Sequence, residues 1–418
     1  MPLKRGLFLA AALAPAALNL ILPTKVVAQI YTGDLELTTQ AAVNAFNYIE
    51  VTGNILIGGG SSDISDLSPL SRLTRVGGNL IFQSNEPLAN VDGLASLHSV
   101  GGDLRFLNNL SLTDVDGLAA LTTVGGTLYF FNQPSLTSLY GLSSLATVGG
   151  SVGFAYSVGV GIKGTTSLTA IGGDLSFTEV AFENLDGLFP RLTTIGGGLG
   201  ITHCFALRDL NGLSVLTSVG RSVFIRDSVV LENVDGLASL TMVGGVLSVS
   251  LNPKLANMNG LSALSSVGGD VSIDENRLLD KFCGLWSLLS TGGVGGEVTI
   301  TSNKVNPSVG EIIAAGPCDA DGDGVPDDQD ACASSDLRPT VWVLNCDSGV
   351  QNRVGSNGCS LADRVAAVIA ESSINARNHG KFVSRTASAL NALVTEGLLN
   401  DNEHKSLMRC VGSSAQSK

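Results

Sequence analysis

Apolar residues recur along most of this chain on a fixed beat, marked by the tripeptide Val76-Gly77-Gly78. It returns as Val100-Gly101-Gly102, Val124-Gly125-Gly126, Val148-Gly149-Gly150, Ile171-Gly172-Gly173, Ile195-Gly196-Gly197, Val219-Gly220-Arg221, Val243-Gly244-Gly245 and Val267-Gly268-Gly269. The spacing is 24 residues throughout, except for one interval of 23. Weaker copies at Val51-Thr52-Gly53 and Val294-Gly295-Gly296 bring the array to about eleven units. A period this regular predicts stacked structural repeats. Two residues after the second glycine stands an apolar column: Leu80, Leu104, Leu128, Val152, Leu175, Leu199, Val223, Leu247, Val271 and Val298. Four residues after it stands another, from Phe82, Phe106, Phe130, Phe154 and Phe177 through Ile201, Ile225, Val249, Ile273 and Ile300. A separation of two puts both columns on one face of a strand, so each unit predicts one short strand with a filled inner face.

Seven residues after the glycine the column turns polar: Asn85, Asn109, Asn252, Asn276 and Asn303, with Ser157, Cys204 and Ser228 in the same place. Stacked asparagines at strand ends can bond the backbone of the neighbouring turn, and Cys204 reads as a replacement within that ladder. The rest of each unit follows the form of Leu112, Val115, Asp116, Gly117, Leu118, Leu121 and Val124. Apolar residues three apart suit bends or 3₁₀ turns, and the Asp-Gly pairs at 92–93, 116–117, 186–187 and 235–236 are turn chemistry, not a catalytic series. The predicted fold is mainly β: a right-handed, parallel β-helix or leucine-rich-repeat-like solenoid of about eleven coils. Residues 31–50 predict its N-terminal cap, with a strand at Asp34 to Leu37 and a helix reaching about Phe46, and residues 282–316 its C-terminal cap.

Composition narrows the class. The net charge is −13, which argues against nucleic acid and against an anionic membrane surface. Lys4 and Arg5 precede an apolar stretch from Leu7 to Leu22, and Val26-Val27-Ala28 suits cleavage before Gln29, so residues 1–28 predict a signal peptide. Pro15 and the shortness of the stretch argue against a spanning helix, and no second apolar run follows. There are seven cysteines, five of them after residue 317, which in an oxidising compartment reads as disulfides.

The units resemble the receptor L-domain repeat, a relative of leucine-rich repeats, through the pattern Gly-Gly-x-Leu-x-Ile-x-x-Asn-x-x-Leu-x-x-Leu-x-Gly-Leu. The opening Gly33-Asp34-Leu35-Glu36-Leu37-Thr38-Thr39-Gln40 resembles the start of such domains. The resemblance covers about residues 31–310 and implies a solenoid used for binding.

Positions three and five after the glycine point outward, and most are small or hydroxylic. Ile81, Arg105, Leu107, Tyr129 and Phe131 depart from this on adjacent coils and form a candidate ligand-binding patch. Gly159, Gly161 and Gly164 spell a dinucleotide fingerprint, but they sit inside a coil with no room for the helix it needs.

Residues 317–333 contain Asp319, Asp321, Asp323, Asp327 and Asp330 at loop positions 1, 3, 5, 9 and 12, with Gly322 at 6 and the Val325 carbonyl at 7. Those are the oxygen offsets of an EF-hand-type Ca²⁺ loop. The segment resembles a single thrombospondin type 3 repeat, which implies calcium held in an aspartate-rich loop stapled by cysteines.

Residues 334–358 read as a disulfide-stapled linker. Cys346 with Cys359 is the expected pair, and Cys318 with Cys332 or Cys283 with Cys318 are competing options. From 359 to 418 the period turns helical. Ser360 and Asp363 form a capping box, a stripe follows at Leu361, Val365, Val368 and Ile369, and there are breaks near Asn378-His379-Gly380 and before Leu398. This end resembles a small helical module of bacterial secreted proteins. Such modules carry a cysteine where Arg385 stands, which implies that Cys410 lacks a partner.

Together these features predict a secreted or cell-surface, calcium-binding adhesion or recognition protein that takes an extracellular protein or glycan. A structural surface-layer component is the alternative. An enzyme on a β-helix ranks below both. Only Asp274 places a carboxylate among the outward strand positions, and His98, His203, His379 and His404 form no spaced cluster.

Overall fold

The computed structural model describes residues 29–60, 62–157, 163–319, 321–327, 329–332, 334–374 and 376–413. The predicted signal peptide at 1–28, together with Gly159 and Gly161, lies outside the described residues.

Two long parallel sheets dominate, one of 11 strands and one of 12, each with its strands in strict sequence order. Each repeat supplies a four-residue strand, such as Leu104–Leu107 or Leu128–Phe131, to the larger sheet. It also supplies a two-residue strand, such as Ser99–Val100, to the smaller one. The sequence reading assigns one strand per unit; the second contains the marker valine itself. The register is one-to-one, so Leu104 pairs with Leu128 and Phe106 with Phe130. This ordered winding through both sheets is the course expected of a solenoid.

The apolar columns fill one continuous core, and Leu80, Leu104, Leu128 and Leu175 are fully buried. Inside it Phe82, Phe106, Phe130, Phe154 and Phe177 stack ring on ring, with centroids 4.7, 5.0, 5.3 and 5.5 Å apart and planes within 6° of parallel. Phe182 and Phe189 meet the end of this stack edge-on. The three-residue spacing resolves into 3₁₀ turns, including Asp92–Leu94, Asp116–Leu118 and Asp235–Leu237.

The marker glycines serve close approach, not a special backbone conformation. A Cβ on Gly101 would stand 2.2 Å from the Gly77 carbonyl oxygen of the preceding unit, which no neighbouring turn could accommodate. Within the array, left-handed backbone occurs instead at ten described non-glycine residues, one at the exit of each regular strand from Leu80–Gln83 onward: Ser84, Asn108, Asn132, Tyr156, Glu179, His203, Asp227, Leu251, Glu275 and Ser302, with φ between 52° and 58°.

The polar column forms the expected ladder where asparagine is present. The Asn276 Oδ1 accepts the Asn252 N–H at 3.0 Å, and its Nδ2 donates to the Val249 carbonyl at 3.0 Å, 27 residues back. Asn306 closes the ladder by accepting the Asn303 N–H at 2.9 Å. Cys204 repeats the geometry in weaker form: it is fully buried and its Sγ faces the Phe177 carbonyl, again 27 residues back, at 3.6 Å.

The N-terminal end carries strands Ile30–Tyr31 and Leu35–Leu37 and helix Gln40–Asn44, which Thr39 caps by accepting the Ala42 N–H. The other end carries helix Trp286–Ser290, the last long strand Val298–Thr301 and helix Val309–Ala315, which begins with a complete Ser308/Glu311 capping box.

A second core lies beyond. An antiparallel hairpin, Thr340–Val343 with Cys346–Gln351, packs with helices Leu361–Ile374, His379–Thr395 and Asp401–Ser413 around Val341, Val343, Val365, Phe382 and Leu407. The Ser360/Asp363 box forms in both directions, at 3.2 and 2.8 Å. Three disulfides are present: Cys283–Cys318, Cys332–Cys359 and Cys346–Cys410. Cys346 therefore pairs with Cys410, not Cys359, and Cys410 does have a partner. The cause is the hairpin's second strand, which carries Cys346 against the last helix, where Cys410 is buried. Cys318–Cys332 does not form, and Cys204 alone is free.

Candidate functional sites

The larger sheet turns one side-chain row inward and the other outward. In the outward rows Ile81 pairs in register with Arg105 and Arg105 with Tyr129, while Leu107 pairs with Phe131. The five predicted patch residues are therefore neighbours on one surface, and all are half-buried. Tyr129 lies across the next strand: a Cβ on Gly153 would stand 2.8 Å from its ring. Phe131 meets Tyr129 at 6.3 Å and Tyr156 edge-on at 5.3 Å. Tyr156 is a member of this aromatic group that period reasoning does not find, because its side chain exits at a left-handed residue beyond the strand. It bonds Glu179, whose carboxylate holds the phenol above its ordinary pKa. Arg105 pairs with Asp103, while its Nε is buried without a partner.

Past this group the face changes character. Thr178 and Thr202 share a hydrogen bond at 3.2 Å, and Arg226 holds the Ser250 hydroxyl at 3.1 Å while its guanidinium lies 5.8 Å from the Phe224 ring centroid.

The aspartate loop hangs between the two cores. Cys318, immediately before it, is tied to Cys283 in the last repeat, and Cys332, after it, is tied to Cys359 beside the first long helix. Carboxylate oxygens of Asp319, Asp321 and Asp323 lie within 4.8 Å of one another. The loop is pre-shaped by its own backbone. Asp319 accepts the N–H groups of Gly322 and Gly324, Asp321 that of Asp323, and Asp323 that of Val325. Gly322 and Gly324 have φ of 76° and 90°, the left-handed region in which glycine meets no Cβ penalty. The second oxygen of Asp323 is buried with no partner. The Val325 N–H pulls the Asp323 carboxyl downward most strongly, but burial and the charges of Asp321, Asp330 and Asp319 together lift it above the usual range.

Asp327 and Asp330 stand outside the three-aspartate cluster. The Asp327 N–H donates to the Cys318 carbonyl at 2.8 Å, closing the loop. Asp330 accepts the Cys332 N–H at 2.7 Å and abuts Gly358. Asp321 reaches the helical unit through Ser335: it accepts the Ser335 N–H at 2.6 Å, and the Ser335 hydroxyl donates to Asp363 at 2.7 Å.

Three close carboxylates with one orphaned buried oxygen form a hard-oxygen donor set that fits a divalent cation such as Ca²⁺. Val325 adds its carbonyl at the expected offset. Among the described residues no helix is long and apolar enough to cross a membrane. Comparison with known protein families and with characterised proteins returns no match.

Proposed function

We propose that this is a secreted or cell-surface recognition protein, non-catalytic, that binds an extracellular protein or glycan through the outer face of its repeat array and uses Ca²⁺ to stiffen the junction behind it. The observation that carries this reading is the aromatic group of Tyr129, Phe131 and Tyr156, laid over Gly153 on a face where most outward strand positions are small or hydroxylic. Exposed aromatic clusters of this kind are typical contact anchors. We read the array as a right-handed, leucine-rich-repeat-like solenoid of the receptor L-domain kind, and the loop as a single thrombospondin type 3-like repeat. The three disulfides and the absence of a spanning helix among the described residues are compatible with an extracellular setting.

In this reading Asp319, Asp321, Asp323, Asp327, Asp330 and the Val325 carbonyl hold the ion. Bound calcium neutralises the crowded carboxylates and locks a loop whose two ends are disulfide-anchored to different cores. The loop then acts as a strut, and no sensing role follows from one copy. Asp274, the outward carboxylate, is met by the Ser272 hydroxyl at 3.3 Å.

A glycan and protein array probed with the full secreted chain, with and without EGTA, tests the recognition reading. The expected result is a ligand class whose capture falls at least tenfold in Tyr129→Ala. Silence on every ligand, together with ordered self-assembly, would favour the structural surface-layer alternative. That alternative has its own support: Val298–Thr301 ends the larger sheet with one edge unpaired. The calcium reading predicts heat of binding in a calorimetric titration of the full chain, lost in Asp321→Asn. No heat would overturn it.

A further inference from the structure

One glycine on the outer face is not demanded by the fold. Most glycines of the array face a backbone or side-chain atom where a Cβ would go. Gly200 does not: a Cβ there would meet only the Ser176 Cβ, at an ordinary 3.9 Å. It sits mid-strand in Leu199–Thr202, paired with Ser176 on one side and Phe224 on the other. Glycine weakens a strand interior, so its presence there calls for another reason.

The reason is a groove. Asp174, Ser176, Gly198, Gly200, Arg221 and Phe224 line a depression of about 290 Å³ across three consecutive units. Two linked departures from the repeat create it. Every other unit places a residue with a side chain directly after the marker pair, from Asn79 and Asp103 through Thr127 to Val246 and Asp270; this one has Gly198. Where others have the second marker glycine, the next unit has Arg221. The two changes belong together. A Cβ on Gly197 would strike the Asp174 carboxylate at 2.1 Å, and one on Gly245 the Ser222 hydroxyl at 2.6 Å. Gly198 presents no such side chain to Arg221, although at Gly150 it is the Gly126 backbone, at 2.7 Å, that a Cβ would meet first. The Asp174 Oδ1 is held by the Gly198 N–H at 2.7 Å, which fixes the carboxylate at the groove's edge. Arg221 is exposed and makes no ion pair among the described residues.

We infer that this groove is a saccharide subsite that takes one uncharged pyranose ring. The volume lies at the small end of ligand sites, enough for a single ring. Phe224 supplies an aromatic wall for the ring's C–H face. Asp174 and Arg221, of opposite charge, and the Ser176 hydroxyl supply an acceptor, donors and a two-way group for ring hydroxyls. Their charges cancel, which suits a neutral polyol better than an anion. The inference rests on reading the sheet's outer face as a recognition surface, and it adds a site about three strands from Tyr129, or about 15 Å at ordinary strand spacing.

Saturation-transfer NMR on the full chain with methyl α-D-glucopyranoside, methyl β-D-glucuronide and N-acetyl-phenylalanine amide tests it. Transfer to the ring protons of the neutral glycoside is expected. It should fall to background in Gly200→Val, at least fivefold in Arg221→Ala, and stay unchanged in Tyr129→Ala. The melting temperature of Gly200→Val should equal or exceed that of the parent, because valine suits a strand and has room. Transfer from the glucuronide alone, from the phenylalanine probe alone, from none of them, or unaltered by Gly200→Val would each overturn the assignment. Loss of array binding in Tyr129→Ala, with no groove signal in the parent, would leave the recognition face standing without this subsite.

Discussion

Replacing Asn276 by alanine isolates what the asparagine ladder contributes. Its side chain bonds two buried backbone groups that belong to other parts of the chain, the Asn252 N–H and the Val249 carbonyl. It also donates to the Asn303 Oδ1 at 3.1 Å, which links it to the last ladder position. Alanine strips both backbone groups of these partners, and each such loss costs about 1–3 kcal/mol, so the substitution removes about 2–6 kcal/mol. In an array whose units touch only their neighbours, that cost falls on the units around Asn252, Asn276 and Asn303. Native-state hydrogen exchange reads it directly. Amides of those units should exchange about thirtyfold faster or more, while those around Asn85 and Asn109 keep their protection. Acceleration below about threefold, or acceleration spread evenly over the array, would refute the ladder reasoning. Cys204→Asn is the converse: a stronger acceptor and donor in the same column, expected to protect the Val180 amide and leave the fold intact.

The Cys204 thiol is pushed up to about 12, chiefly by burial, so it is neutral at every physiological pH. A thiol reagent should find no free sulfur in the native chain and one per chain after denaturation without reductant. Removing the Cys346–Cys410 bridge as a double serine variant frees a span of 64 residues and should cost the C-terminal unit about 4 kcal/mol, seen as a lower unfolding midpoint for Trp342 fluorescence. EGTA should lower the melting temperature of the parent and leave that of Asp321→Asn unchanged; equal shifts in both would place the calcium effect elsewhere.

Positions with a repeating reason were legible in the sequence; one-off contacts between distant parts were not. Leu175 and Phe177, Leu199 and Ile201 announce a strand face because the columns recur. The two-residue strands of the smaller sheet carry no period of their own, so Ser99–Val100 reads only as the approach to a glycine corner. Glycine at a corner suggests backbone freedom, whereas the structure shows a close approach between units, a contact invisible until the neighbouring turn is in place. Cys346 was matched to Cys359 because the intervening Asp347 to Gly358 looked like a polar loop. Part of that stretch is a strand, in which Ser348 is buried and donates to the Val341 carbonyl at 2.6 Å. The aspartate spacing was legible because ligand offsets lie within one loop. The bond from Ser335 to Asp363 was not, since nothing local relates them.

The left-handed residues at the strand exits run in a single file beside the outer face, from Ser84 to Ser302. At ordinary strand spacing, nine steps of about 4.8 Å make this file about 43 Å long. It works as a ruler whose graduations all have the same backbone shape but different markings: tyrosine, glutamate, histidine, aspartate, leucine. Because every position shares one backbone shape, one marking can be rewritten without moving the rest of the scale.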